Sequence, residues 1–305
     1  MTTANPPVQS ASPDKGLLAR HPLISFFVMA FAFSWIAWSP WVLSQEGAGL
    51  LPFSSPLLAR VALPLGIFLG PTLAAFIMTG ITEGRAGTRR LLGRIVLWRV
   101  GLRWYLFAFI GVSLVMMLGM ILVPGGLASL QFLGPGYVLT YLVTFIVVLL
   151  IGGPLFEEIG WRGFALPRMQ PLQGPLVGSI VLGLLWALWH LPEFLVPVWA
   201  DSSGGSSPLA IVKFCIFAIA ITIILTWVFN NTKGSVLLAI LVHAAIDAPF
   251  LPFSVLLGPA EVMNSLLLGF GALALVIVAL TRGRLGYDHY LQEVEEESAS
   301  ATAPT

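Results

Sequence analysis

The chain has 305 residues, 57% of them hydrophobic and only 10% charged, with a formal net charge of +1 and a mean hydropathy of +0.93. Soluble domains carry roughly 25% charged residues, so this composition excludes a soluble globular protein; the net charge itself says nothing about nucleic acid, and no nucleic-acid partner is expected. A single cysteine, Cys215, excludes a disulfide framework and a cysteine-rich zinc site. The reading is an all-α, polytopic transmembrane helical bundle whose first partner is the lipid bilayer.

Taken in order, residues 1–21 are polar and rich in Pro, Ser and Ala, with Lys15 and Arg20, and predict a disordered tail. The first apolar run has no small-residue cleavage site and is long enough to span, so no cleavable signal is expected. Apolar runs of spanning length then lie at about 22–43, 61–82, 104–123, 137–156, 175–195, 209–229, 235–257 and 262–280. That makes about eight spans within a bundle covering 22–284. Pro249 and Pro252 fall near the end of the seventh run. The stretch 85–103 interleaves Arg with Leu, Ile, Val and Trp, the pattern of an interfacial helix on an anionic leaflet. Residues 201–207 read as a flexible outer loop. Residues 285–305, with Glu293, Glu295, Glu296 and Glu297, read as a frayed acidic tail.

Of the 15 basic residues, 13 fall on one side of this topology, with only Arg60 and Lys213 on the other. The positive-inside bias therefore predicts that both termini are cytoplasmic, and the composition has the look of a bacterial cytoplasmic membrane protein.

Few ionisable groups remain within the apolar mass: Glu157, Glu158, Arg162, His190, His243 and Asp247. A lone acidic side chain inside a bilayer costs at least ~2.5 kcal/mol on insertion scales, so such residues are functional candidates. Glu158 and Arg162 are i,i+4 neighbours and can pair, while Glu157 points about 100° away and stays free. His243 and Asp247 are also i,i+4, so the carboxylate can orient the imidazole or bind alongside it. Taken singly, His190 reads more readily as a satisfied core or interface histidine, and the His243–Asp247 pair equally well as a helix staple. Together they form a set that can activate a water: a carboxylate in an apolar pocket becomes a better base. Imidazoles can hold that water, donate to an oxyanion or bind a divalent metal such as zinc.

Three local patterns carry a resemblance. Glu157-Glu158-Ile159-Gly160-Trp161-Arg162-Gly163 resembles the Glu-Glu-x-x-x-Arg motif of the CPBP (CAAX protease and bacteriocin-processing, or Abi) family. Trp186 to His190 resembles its Phe-x-x-x-His motif with Trp for Phe, and His243 to Asp247 its His-x-x-x-Asn/Asp motif. The motifs occur in family order within a core at 137–257. The resemblance implies an intramembrane endopeptidase, similar to CAAX prenyl protease 2 and lysostaphin-resistance-protein-A-like proteins, with a pocket that opens toward the cytoplasm. It implies that Glu157 activates water with help from His190 and that Glu158 with Arg162 supports the site. His243 and Asp247 would stabilise the oxyanion or, with His190, hold a metal. The implied partner is a peptide or protein substrate, membrane-associated or prenylated.

Asp at 247 departs from the neutral donor an oxyanion hole prefers. An ionised carboxylate there would repel an oxyanion, which tilts Asp247 toward orienting His243 or ligating a metal. A second tension is depth: a simple span count puts Glu157 near the inner end of the fourth run, while His190 lies roughly 22 Å along the fifth. Either Gly152-Gly153-Pro154 breaks the fourth run, or its helix continues well past Glu157. Two other functions fit a buried Glu/His/Asp set: a proton- or ion-coupled transporter, which would show matching halves that this chain lacks, and a non-catalytic bacteriocin self-immunity protein.

Overall fold

The computed structural model describes residues 16–130, 135–248 and 257–302. Most of the expected N-terminal tail, and Pro249 and Pro252, lie outside the described residues. In chain order the long elements are α1 (Pro22–Leu43), α2 (Arg60–Ile95), α3 (Leu102–Ile121), α4 (Val138–Ile151), α5 (Pro154–Gln173), α6 (Pro175–Leu195), α7 (Pro208–Asn230), α8 (Val236–Asp247), α9 (Ala260–Thr281) and α10 (Tyr287–Thr302). Among the described residues every regular element is helical. This is the all-α membrane bundle that the hydropathy predicts, because a bilayer leaves backbone polar groups no partner except their own helix.

Among the described residues six helices are long and apolar enough to cross a membrane, and α4 with α5, bent by 44° at their junction, makes a seventh if the pair is one span. Of the seventh apolar run, the described residues hold the 12-residue α8, and its residues 249–256 lie outside them. At 1.5 Å per residue α8 reaches about 18 Å, short of the ~30 Å hydrocarbon core. It is apolar all round and almost wholly buried, the signature of a helix enclosed by protein. Its neighbours are α2, α3, α4, α5 and α7.

Around α8 the packing runs α5 on α6, α6 on α7, α7 on α9, and α9 on α3. The α3–α9 crossing is close because glycines face each other. A Cβ on Gly119 would sit 2.1 Å from the Ser265 carbonyl oxygen, and one on Gly269 would sit 2.5 Å from the Val115 carbonyl oxygen. Small residues at a crossing are how membrane helices gain dispersion contact without a hydrophobic drive. Large apolar side chains such as Ile24, Val28, Leu139, Leu275 and Leu280 face outward, as a lipid-facing surface requires.

Residues 85–95 continue α2 beyond a kink at Gly84, where φ is 64° and ψ −154°. The C-terminal stretch, expected to fray, forms α10. There the Arg94 guanidinium donates to the Tyr290 hydroxyl at 2.8 Å, and Tyr290 is buried. Arg90 and Arg168 both bind Glu83, so α2, α5 and α10 meet at one arginine-rich rim. At the other end the expected loop at 201–207 is partly helical, since Asp201 and Ser202 close a short helix, Pro197–Ser202.

Candidate active site

Local sequence explains how a carboxylate enters this bundle. Gly152-Gly153 ends α4, and Gly153 has φ 117°, a region that a side chain strains. Pro154 then opens α5 at its first position, where a missing N–H is harmless. Glu157 lies in that first turn, near the positive end of the helix dipole. A Cβ on Gly153 would come within 2.5 Å of Glu157 Oε1, so glycine supplies both the break and the room.

The break also resolves the depth tension, and the second option holds with it. The helix runs on from Pro154 to Gln173, turns at Gly174 and returns as α6. Glu157 stands 17 residues before Gly174 and His190 stands 16 after it. Two packed antiparallel arms of equal length bring both residues to the same level.

Trp186 joins the parts. Its indole N–H donates to Glu157 Oε2 at 2.5 Å. Its ring meets His190 edge-on at 5.1 Å and His243 edge-on at 5.4 Å between centroids. His190 Nδ1–H donates to the Trp186 carbonyl at 2.9 Å. That fixes the tautomer and leaves Nε2 as an acceptor. The His190 ring is boxed by Trp186, Trp189, Trp199 and Phe214.

A second hydrogen-bonded layer lies behind. Glu158 Oε1 accepts from Arg162 Nη1 at 2.8 Å and from His243 Nδ1 at 2.8 Å. His243 Nε2 faces Asp247 Oδ2 at 3.5 Å. The i,i+4 pairing of Glu158 with Arg162 is present, Glu157 is left out of it, and Asp247 is placed to orient His243. Glu157, Glu158, Arg162, His190 and His243 are all buried, and Asp247 is 37% exposed at its side chain.

These groups surround one cavity of about 210 Å³, lined among others by Glu157, Trp186, His190, His243 and Asp247. The structure therefore brings together Glu157, His190, His243 and Asp247 at the cavity, with Glu158 and Arg162 packed behind. Sequence reasoning missed Glu193, Trp199 and Phe214, which also line it. For Glu193 the signal is present in the sequence: a carboxylate three residues beyond His190, inside the apolar run 175–195.

The fit of a metal can be tested on the donors. Both nitrogens of His243 face carboxylate oxygens, so of this trio only His190 Nε2 and the Asp247 carboxylate are left to bind. Among the described residues no group of three or more His, Cys, Asp or Glu is placed to hold a metal ion. As arranged, the trio His190, His243 and Asp247 does not fit a metal.

The cavity lies toward the end of the bundle that carries Ser202 and Ser203. Arg168, on the arginine-rich rim, is 11 residues further along α5 than Glu157, about 16 Å down the axis. The two sequence expectations, a cytoplasmic arginine-rich rim and a pocket open to the cytoplasm, thus point to opposite ends of the molecule.

Comparison with known proteins agrees with the motifs. The family described as type II CAAX prenyl endopeptidase Rce1-like matches residues 139–249, the segment holding α4 to α8. A protein of Methanococcus maripaludis named CAAX prenyl protease 2 is 28% identical over 231 residues, covering 73% of this chain and 81% of that protein. The matched segment contains every residue of the buried polar set, on the helices that enclose the cavity. The motifs, the family match and the relative together support the CPBP, or CAAX protease, family for this multi-pass membrane protein.

Proposed function

We propose that this protein cleaves a peptide bond of a membrane-associated peptide or protein with a water held between Glu157 and His190. The observation that carries the reading is the convergence of Glu157, His190 and His243, from three helices, on one cavity through Trp186. Glu157 Oε2 is engaged by the indole, which leaves Oε1 to take a proton from water. The His190 Nε2 lone pair accepts the water's second hydrogen and orients its oxygen toward a scissile carbonyl. Attack forms the C–O bond and a tetrahedral oxyanion. His243 keeps its Nδ1–H on Glu158, and as the imidazolium it offers its Nε2–H, 3.5 Å from Asp247 Oδ2, to that charge. Glu157 then returns its proton to the leaving nitrogen as the C–N bond breaks. Glu158 and Arg162 hold His243 and the α5 helix in place. The name of the archaeal relative makes prenylated peptides with a CAAX ending the first substrates to try.

The test is purified protein in detergent with a fluorogenic peptide panel that includes a prenylated CAAX peptide. Wild type is expected to cleave at least one peptide, Glu157→Ala to lose at least about 10²-fold in rate, and chelator to leave the rate unchanged. Cleavage that survives Glu157→Ala, or that chelator abolishes and zinc restores, overturns this mechanism.

A further inference from the structure

The mechanism uses Glu157, His190 and His243 but leaves one buried acid without a task. Glu193 is 1% exposed, lines the same cavity, and neither of its carboxylate oxygens has a hydrogen-bond partner among the described residues. It is fixed there by local geometry. His190 closes the α-helical part of α6, which tightens into a 3₁₀ turn at Leu191–Leu195, and Glu193 N–H donates to the His190 carbonyl at 2.9 Å. The turn places Glu193 on the wall of the cavity that His190 also lines.

The cationic partners are unevenly shared. Four carboxylates surround this region: Glu157, Glu158, Glu193 and Asp247. Arg162 and His243 are both bound to Glu158, and His243 also faces Asp247. Glu157 receives only an indole N–H. Glu193 receives nothing. A buried carboxylate without a counter-charge is unfavourable by several kcal/mol, and it persists most simply where an arriving ligand brings the charge. The walls beside it, Trp199, Phe214 and Phe217, are apolar and aromatic, suited to the aliphatic stem and cationic head of a long basic side chain.

We propose that Glu193 is a specificity residue that receives the Lys or Arg side chain of a substrate residue beside the scissile bond. This rests on the peptidase reading and narrows its substrate class to peptides with a basic residue near the cleavage point. A site built to pair with a polar group discriminates strongly against an analogue that lacks it, because its own buried group is then left unpaired.

The experiment uses full-length protein in detergent and pairs of fluorogenic peptides identical except for Lys or norleucine, placed in turn at each position flanking the scissile bond. For wild type, one position is expected to show kcat/KM at least about tenfold higher with Lys. In Glu193→Gln that ratio is expected to fall to within about twofold of unity. A wild-type ratio near one at every position overturns the proposal whether or not the variant folds, and a ratio unchanged in Glu193→Gln overturns the assignment to this residue. If wild type cleaves no peptide, the peptidase reading fails by itself. Binding of the same Lys and norleucine peptides, read by tryptophan fluorescence, then decides the cation site: equal affinity overturns it, and weaker binding of the norleucine peptide upholds it.

Discussion

Trp186 occupies the position where the family motif has Phe, and the two are not equivalent here. Phe would keep the aromatic contact with His190 and His243 but could not donate to Glu157. The indole hydrogen bond is made to a buried carboxylate, and bonds to charged groups are worth about 1.5–3 kcal/mol. Trp186→Phe is therefore expected to fold normally and to lower kcat by roughly ten- to a hundredfold with little change in KM. An unchanged kcat would show that the indole does not position Glu157. Gly153 is the other residue on which the site depends. Gly153→Ala places a Cβ against Glu157 Oε1 in a backbone conformation strained by about 1–3 kcal/mol for a side chain. Both effects act on the catalytic turn, so activity is expected to fall at least tenfold, and a variant with wild-type kcat/KM would remove the glycine from the argument.

Among the elements, the crossing of α3 and α9 sets how tightly the bundle closes around α8. Gly119→Ala puts a methyl group 2.1 Å from backbone, which the flexible end of a side chain cannot absorb, so the helices must separate. Overpacking of this kind costs about 1–3 kcal/mol, and the melting temperature in detergent is expected to drop. Gly271 supplies the internal control. It lies on α9 with nothing within 4 Å of an added Cβ, and Gly271→Ala is expected to leave the melt where it was. Equal melts for the two variants would mean that the crossing is looser than drawn. The break between α4 and α5 is the second determinant at this scale. A straight helix through 152–153 would leave no first turn at Pro154 for Glu157 to occupy.

For the whole molecule, the arginine-rich rim and the cavity lie at opposite ends. The positive-inside bias assigns the rim, with Arg85, Arg89 and Arg90, to the cytoplasm. The cavity end, with Ser202 and Ser203, then faces the other compartment. With Cys215 replaced by Ala, a single cysteine at exposed Ser206 is expected to react with a membrane-impermeant maleimide on intact cells, and one at exposed Arg89 only after lysis. The reverse pattern would place the cavity on the cytoplasmic side and show that the arginines of this chain do not set its orientation.

Some of this was legible in the chain itself. Composition and apolar run length determine an all-α membrane bundle, because a bilayer admits few other ways to satisfy a backbone. The i,i+4 spacings determine that Glu158 meets Arg162 and that Asp247 meets His243, because helical periodicity is local. What stands opposite what was decided by tertiary structure. The equal arms of the hairpin at Gly174, the enclosure of the short α8, the indole bond from Trp186 to Glu157 and the turn that aims Glu193 into the cavity all join residues far apart in sequence or depend on how helices break and pack. Periodicity says which way a side chain leaves its own helix; only the packing of the other helices says what it finds there.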